Sequence, residues 1–220
     1  VSGFRQTWLK AQEKRGLRVW KVADARSSGG SSISRLADHS FLVGGMNPAQ
    51  DDYEIVYQWE GGRFSALGLE VLHHSSLPKG GPGRYEQNGN FGLSTLEIFV
   101  SGTQPLSPWQ SVDVAEAFAS YEEPQDKIGN ALNLQRDCWC TNQREAQAWF
   151  VLAEPLMLSA GSRIRVRLRH ASKWERHGIG RFRIWSAGDA GVGGVRQDFP
   201  ALNVVTILTK PEAMRTAKEV

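Results

Sequence analysis

The sequence of 220 residues contains only two cysteines and no long apolar run. A small disulfide-stapled domain needs more cysteine than this, and a membrane-spanning helix needs roughly 18 to 20 consecutive apolar residues. Hydrophobic residues make up 40% of the chain and charged residues 22%, which excludes a disordered chain and allows one sizeable core. The first residues contain neither an initiator methionine nor a signal-peptide core, so we expect a piece of a longer protein.

The chain also has little net charge. Its 26 Lys and Arg against 23 Asp and Glu leave a formal charge of +3 and a pI near 9.0. A surplus this small predicts no partner by itself, because it does not say where the positive charges lie. The basic and aromatic motifs of nucleic-acid-binding modules are absent, so we expect no nucleic-acid partner.

Motifs of hydrolytic catalysis are absent as well. The sequence contains no Gly-x-Ser-x-Gly elbow and no His-Glu-x-x-His pair, which are signatures of serine hydrolases and zinc proteases. His73 and His74 are adjacent, so on a strand they would point to opposite faces. We therefore predict that this segment has no enzymatic activity.

The two cysteines flank a tryptophan in the sequence Cys138-Trp139-Cys140. In a strand both thiols would point to the same face. Free buried thiols are the leading interpretation, because a disulfide across so short a loop is strained; a redox-sensitive bridge is the alternative. No Cys or His lies nearby at zinc-ligand spacing, and no Cys-x-x-Cys-His haem motif is present.

The pattern of apolar residues changes twice along the chain. Residues 1–16 have a helical period that ends at Gly16, whereas residues 17–190 contain many short segments with a period of two. Gly, Ser, Pro and Asn clusters separate these segments, which predicts an all-β, antiparallel β-sandwich. Residues 191–220 are predicted to be a linker and the start of a following helical segment, so short helical pieces would lie at both ends.

Four sequence blocks resemble one family. They are "SRLADHSFLVGGMNPAQDDYEIV" (34–56), "SALGLEVLHHSSLPKGGPGRYEQNGNFGLSTLEIFV" (65–100), "AWFVLAEPLMLSAGSRIRVRLRH" (148–170) and "HGIGRFRIWSA" (177–187). They are similar to the accessory domain, of unknown function, of planctomycete-type multidomain proteins that also contain a cytochrome c module. Thr95 departs from the family pattern, which has Glu there, so a metal site at that position is in doubt.

The resemblance implies a jelly-roll sandwich similar to galactose-binding and discoidin-like domains. It also implies an extracytoplasmic location, in the periplasm or at the cell surface. Haem would then lie only in a separate domain of the parent protein, and neighbouring domains of the same polypeptide would be partners.

A first candidate site lies in the Gly- and Pro-rich loop "LPKGGPGRYEQNGNF". Its residues Arg84, Tyr85, Asn88 and Asn90 have polar groups suited to a sugar or a carboxylate, while the glycines allow a close backbone approach. The alternative is that Arg84 and Asn90 fix the loop by hydrogen bonds to backbone groups. Most tryptophans are expected in the core, but Trp174, in the polar loop "ASKWERHG", and Trp139 are candidates for exposure and ligand stacking.

A second candidate site is a basic strand face. Alternation places Arg163, Arg165, Arg167 and Arg169 opposite the apolar residues of one strand, and it places Arg181 and Arg183 in the same way on the next strand. If both strands belonged to one sheet, six guanidiniums would form a patch for an anionic polysaccharide. The alternative is cross-strand pairing with the outward carboxylates, which are Glu54, Glu70, Glu97 and Asp113.

Aspartates suggest a weaker third site. Asp38, Asp51 and Asp52, together with Asp24, lie in loop-rich sequence where oxygen ligands suit a structural Ca²⁺. Roles in turns and helix caps are the favoured alternative. No other cofactor is expected in this segment.

Together these features predict a non-catalytic binding or accessory module of a larger extracytoplasmic protein. Its expected ligand is a glycan, neutral or anionic, recognised by the loop from Pro78 to Asn90 and nearby aromatic residues. The alternative function is a structural scaffold that positions neighbouring cytochrome and catalytic domains through protein contacts.

Overall fold

A computed structural model describes residues 17–18, 20–133 and 137–187, which form an antiparallel β-sandwich. The strands are β1 Leu17–Arg18, β2 Lys21–Ser27, β3 Ser31–Arg35, β4 Phe41–Gly45, β5 Asp51–Gln58, β6 Gly62–Val71, β7 Thr95–Ser101, β8 Gln110–Val112, β9 Val114–Ala119, β10 Ala146–Leu158, β11 Arg163–His170 and β12 Arg181–Ala187. Two short 3₁₀ turns, at Pro78–Gly80 and Ile128–Leu132, complete the described elements.

The described strands form two sheets. One has seven strands, in the order β3-β4-β12-β6-β10-β9 with β1 beside β12, and the other has five, in the order β2-β5-β11-β7-β8. All of the strand pairs are antiparallel. The predicted all-β, jelly-roll sandwich is therefore confirmed.

The core lies between the inner faces of the two sheets, and the period of two explains it. On β11 the apolar residues Ile164, Val166 and Leu168 are fully buried while the alternating arginines are only partly covered. The facing seven-stranded sheet contributes residues such as Leu69 and Phe182 to the same cluster. Burial of these side chains is the main stabilising term, at about 25 cal/mol for each Å² of apolar surface.

Some predicted strands differ from those observed. The period of two over 109–118 predicts one strand, but the chain is divided at Asp113: Val112 pairs with Ile98 in the five-stranded sheet, whereas Val114 pairs with Leu152 in the seven-stranded sheet. The chain thus changes sheets at one residue, which a continuous period of two does not reveal. Similarly, β10 continues through Pro155 to Leu158 because a register shift between Val151 and Leu156 accommodates the missing N–H.

Some sequence predictions concern other parts of the chain. The predicted helix over 1–16 and the predicted linker and helix start over 191–220 lie outside the described residues, so the scaffold function that depends on them stays a prediction. Within the described residues, none of the helical turns has the length or apolar character needed to cross a membrane.

Candidate functional site

Arg84 is a buried anchor of the Gly- and Pro-rich loop and is not offered to a ligand. Its guanidinium donates to the Ser31 hydroxyl at 2.7 Å and to the backbone carbonyls of Gly45 and Met46 at 2.9 and 2.7 Å. The Ser31 hydroxyl in turn donates to the buried carboxylate of Asp51 at 2.6 Å. A buried cation and a buried anion are thus joined through one serine, and the structural interpretation of Arg84 is the correct one.

The two asparagines of the loop also have structural roles. The Asn88 side-chain oxygen accepts from the backbone N–H of Asn90 at 2.9 Å, and the Asn90 side-chain oxygen accepts from the backbone N–H of Gln143 at 3.5 Å. Gly83 lies so close to the Asn90 carbonyl that a Cβ on it would overlap the backbone. The loop is therefore held rigidly by its own polar groups.

On the outside of this anchored loop, Tyr85, His177 and Trp174 form an aromatic cluster. The rings of Tyr85 and His177 stack with centroids 4.0 Å apart and an interplanar angle of 20°. Trp174 lies 6.2 Å from His177, and 49% of its surface is exposed. Lys173 lies 5.0 Å from the centre of the Trp174 ring, within range of a cation–π interaction.

Hydrogen bonds from a backbone N–H, that of Arg84, and from a side-chain amide, that of Asn47, hold the two loops of the aromatic cluster together. The Arg84 N–H donates to the Gly178 carbonyl at 2.9 Å, directly beside Tyr85 and His177. The Asn47 amide donates to the carbonyls of Arg84 and Arg176 at 3.0 and 3.3 Å. The structure thus brings Tyr85 and Trp174 together as neighbours, whereas His177, which joins them, was missed by sequence reasoning although it lies three residues after Trp174.

Trp139, the other tryptophan considered for exposure, is fully buried. Its backbone pairs with Leu93, its indole packs edge-on against Phe91 with ring centroids 5.2 Å apart, and its N–H donates to the Tyr121 carbonyl at 3.1 Å. The prediction of exposure was wrong for Trp139, because the isolated bridge with Leu93 turns this side chain into the core.

The predicted patch of six arginines does not form. Arg181 and Arg183 lie on β12 in the seven-stranded sheet, whereas the other four lie on β11 in the five-stranded sheet. Arg183 is only 1% exposed and donates to Glu70 at 2.6 Å, and Arg181 donates to Asp38 at 2.7 Å. These two arginines are part of a buried polar network on the seven-stranded sheet.

The four arginines of β11 share one outward face, as predicted, and two of them are paired with carboxylates. Arg167 donates to Glu54 at 2.6 Å and to Glu97 at 3.3 Å, and Arg169 lies 3.3 Å from Asp52. Burial opposes charge on Glu54, but hydrogen bonds from Arg26 and Arg167 outweigh it and lower the pKa of this carboxyl. Cross-strand pairing therefore accounts for this half of the face.

The other two arginines of β11 lie against aromatic rings instead. Arg165 lies over both Phe99 and Trp109, 4.5 Å from each ring centre, and Arg163 lies 5.1 Å from the centre of the Trp109 ring. Partial burial is the main cause that lowers the pKa of Arg165, and the neighbouring Arg167 and Arg26 act in the same direction. We call Phe99, Trp109, Arg163 and Arg165 the arginine–aromatic face.

The aspartates proposed as calcium ligands are each occupied by different partners. Asp38 meets Arg181 and Arg183, Asp51 accepts from serine hydroxyls and the Gly29 N–H, and Asp52 meets Arg169. In residues 17–18, 20–133 and 137–187, no three His, Cys, Asp or Glu side chains form a group that could hold a metal ion. The three carboxylates are thus not assembled into one site, and their roles are those of turn and ion-pair partners.

The two cysteines are free thiols, buried beside one carboxylate. Cys140 Sγ lies 3.5 Å from Asp126, and Cys138 Sγ lies 4.0 Å from the other oxygen of the same carboxylate. Burial, reinforced by the Asp126 charge, raises the pKa of Cys138 to about 12 and that of Cys140 to about 11. The leading interpretation of the Cys-Trp-Cys sequence, free buried thiols, agrees with the structure.

No protein-family model matches the sequence, and no curated protein sequence matches it. Among solved structures, the chain is similar to carbohydrate-binding modules. A variant of a family 29 module is 9% identical, with a TM-score of 0.31, over 78% of this chain and 87% of the module. A family 32 module from a family 31 glycoside hydrolase of Clostridium perfringens is 8% identical, with a TM-score of 0.34, over 79% and 91% of the respective chains.

Proposed function

We propose that this chain is a non-catalytic glycan-binding module and that the aromatic cluster of Tyr85, His177 and Trp174 contacts the sugar. The observation that carries the proposal is the half-exposed indole of Trp174 next to the stacked pair of Tyr85 and His177. A large aromatic side chain of this kind normally buries 150–250 Å². An exposed one on an anchored loop is suited to stack on the apolar face of a sugar ring.

The rigidity of the loops supports this proposal. Ordering a loop on binding reduces affinity, so a surface whose backbone is already fixed loses less free energy when a ligand arrives. The buried Arg84 fixes the loop that contains Tyr85, and the Asn47 amide links this loop to the one that contains Trp174 and His177. The aromatic cluster is therefore preorganised by residues that need not touch the ligand.

The polar groups around the aromatic cluster suit sugar hydroxyls. Glu175 and Glu86 are exposed and adjoin Trp174 and Tyr85 in sequence, while Lys173 lies over the Trp174 ring and pairs with Asp137. The His177 Nδ1–H donates to the Glu175 carbonyl at 2.7 Å. That hydrogen bond leaves Nε2 of the imidazole as an acceptor for a hydroxyl group. Specific small-ligand sites usually combine apolar and aromatic side chains with a small number of polar groups.

The setting that we propose follows the family resemblance of the sequence blocks. The module would belong to a larger extracytoplasmic protein of the planctomycete type, with haem confined to a separate cytochrome c domain. Any catalytic activity of the parent protein would lie in its other domains.

A glycan array, followed by titration calorimetry on the best ligand, tests the proposed function. Trp174→Ala is expected to weaken binding at least about tenfold, as is common when a central aromatic contact is truncated. The matched control is Leu106→Ala, which truncates another exposed apolar side chain, 96% exposed, and should leave the affinity unchanged. An array without any bound glycan, or equal affinity for Trp174→Ala and the unmodified chain, would overturn the proposal.

A further inference from the structure

We propose a second, independent binding site on the outer face of the five-stranded sheet, in which Arg163 and Arg165 bind the carboxylate or sulfate groups of an acidic polysaccharide. It shares no residue with the aromatic cluster and does not depend on the function proposed there. The site consists of the arginine–aromatic face, which is Phe99, Trp109, Arg163 and Arg165.

The surroundings of Arg165 are the main evidence for this site. Its guanidinium lies 4.5 Å from the ring centres of both Phe99 and Trp109, its side chain is 15% exposed, and the closest carboxylate oxygen with which it pairs, on Glu54, is 4.0 Å away. Among the described residues it has no hydrogen-bond partner, and its Nε is buried without an acceptor. A guanidinium has five N–H donors, four of them on the two Nη atoms. An oxyanion at the exposed edge of Arg165 would accept from these Nη groups, for which the described residues supply no hydrogen-bond acceptor, in charge-assisted hydrogen bonds.

Arg163 supplies the second cation. It is two residues from Arg165 on the same face, about 6.8 Å away along the strand, and both guanidiniums lie over the ring of Trp109. Arg163 donates to the Ser101 hydroxyl at 2.9 Å and to the Gln104 carbonyl at 3.4 Å, and no ion pair joins it to a carboxylate in the described part of the chain. Trp109 thus holds two cations side by side, neither of which is closely paired.

On the outer face of the five-stranded sheet, the excess positive charge lies at Arg163 and Arg165. The outward positions of β2, β5, β7 and β11 carry six cations, Lys21, Arg26, Arg163, Arg165, Arg167 and Arg169, and four carboxylates, Asp24, Asp52, Glu54 and Glu97. Arg26, Arg167 and Arg169 pair closely with three of these carboxylates, Glu54, Glu97 and Asp52, whereas Arg165 is 4.0 Å from Glu54. The positive potential is therefore local, which favours binding of single anionic groups over binding of a uniformly charged chain.

A polysaccharide fits this surface better than a nucleic acid. Nucleic acid carries a charge on every nucleotide, so its phosphates would lie against Glu54, Glu97 and Asp52 on the same face. A glycan with a charge on only some of its sugars avoids that repulsion. The rim of the arginine–aromatic face includes the exposed polar side chains of Gln58, beside Arg163, and Ser111, beside Phe99, which can bond to sugar hydroxyls.

Affinity electrophoresis and calorimetry with defined polymers test this site. The probes are polygalacturonate for carboxylates, dextran sulfate for sulfates, neutral dextran and a single-stranded oligothymidine. We expect binding to at least one acidic polysaccharide and not to neutral dextran, with Arg165→Gln and Arg163→Gln each weakening it at least tenfold. Arg26→Gln is the matched control, because it removes the same charge from the same face; its affinity should change less than twofold.

The variants also decide whether acidic polymers bind at this face or elsewhere on the protein. Equal losses in Arg165→Gln and Arg26→Gln would overturn the proposal, because binding would then follow net charge alone. Tighter binding of oligothymidine than of either polysaccharide, or no binding of any acidic polymer at low salt, would also overturn it. Trp174→Ala should keep full affinity for the acidic polymer, which distinguishes this site from the aromatic cluster. Unchanged thermal unfolding of the arginine variants, expected for side chains on an outer face, shows that a lost affinity is not a lost fold.

Discussion

Replacement of Arg84 by methionine should destabilise the fold, although the sequence suggested a role in ligand binding. Methionine keeps much of the side-chain volume but removes the charge and the three hydrogen bonds to Ser31, Gly45 and Met46. The buried Asp51 carboxylate also loses the cation at the other end of its link through Ser31. Each buried acceptor left without its donor costs about 1–3 kcal/mol, so we expect a loss of about 3–5 kcal/mol in total.

For a domain of this size, that loss corresponds to a fall in the melting temperature of about 6–20 °C. Urea unfolding followed by circular dichroism measures it, with the free-energy difference taken from the shift in midpoint at constant slope. Arg26→Met is the matched control, because it removes another ion-paired arginine whose side chain is 62% exposed; exposed pairs contribute less than about 1 kcal/mol. If Arg84→Met lies within about 1 kcal/mol of the unmodified chain, the assignment of Arg84 as a buried anchor is wrong.

This result also governs how binding data are interpreted. A glycan affinity lost in Arg84→Ala would not by itself show a contact between Arg84 and the sugar, since the loop beneath the aromatic cluster would be disturbed. Loss in Trp174→Ala with unchanged stability is the informative observation. The two variants should therefore be measured together.

Other predictions concern buried groups and the tight turns. Burial lowers the pKa of His170 to about 4, against about 6.5 in the unfolded chain. Between these values the unfolded state binds more protons, so the free energy of unfolding decreases as the pH is lowered. From pH 7 to pH 5 we expect a loss of about 2 kcal/mol, which a His170→Gln variant should not show. Because burial raises the pKa values of Cys138 and Cys140, iodoacetamide should alkylate them far more slowly in the native than in the urea-unfolded chain, as mass spectrometry will show; equal rates would contradict their burial. Gly83→Ala should lower stability by more than about 2 kcal/mol, because its Cβ would overlap the Asn90 carbonyl, whereas Gly129→Ala, with open space around it, should change the urea midpoint little.

Much of the fold could be predicted from local pattern. The alternation over 163–170 predicts a strand with the bounds observed, Arg163–His170. Four arginines alternate there with three apolar residues, so only one face of the strand can be buried. The division of the segment 109–118 at Asp113 could not be predicted, because the two pieces have the same period and differ only in which sheet they join. Pairing partners of strands far apart in sequence are decided by the whole chain.

The aromatic cluster also depends on contacts between distant parts of the chain, which local sequence does not reveal. Tyr85 and Trp174 were both named from loop composition, but they are 89 positions apart in sequence and only the packing of two loops around Arg84 makes them neighbours. Asn88 and Asn90 have the residue types of a binding loop, yet their side-chain oxygens accept hydrogen bonds from backbone N–H groups. A polar side chain in a loop has two competing uses, and the sequence does not show which backbone groups lack a partner.

The arginines behind the small positive net charge show what the sequence determined and what the tertiary structure determined. The sequence by itself determined that the four arginines of β11 share one face, because side chains alternate along a strand. Only the tertiary structure decided that Arg181 and Arg183 belong to the other sheet, that Arg167 and Arg169 meet carboxylates, and that Arg163 and Arg165 lie over Trp109. The physical reason is that alternation is a property of one strand, whereas charge pairing depends on register between strands whose paired residues are up to 119 positions apart in the chain, as for His170 and Asp51.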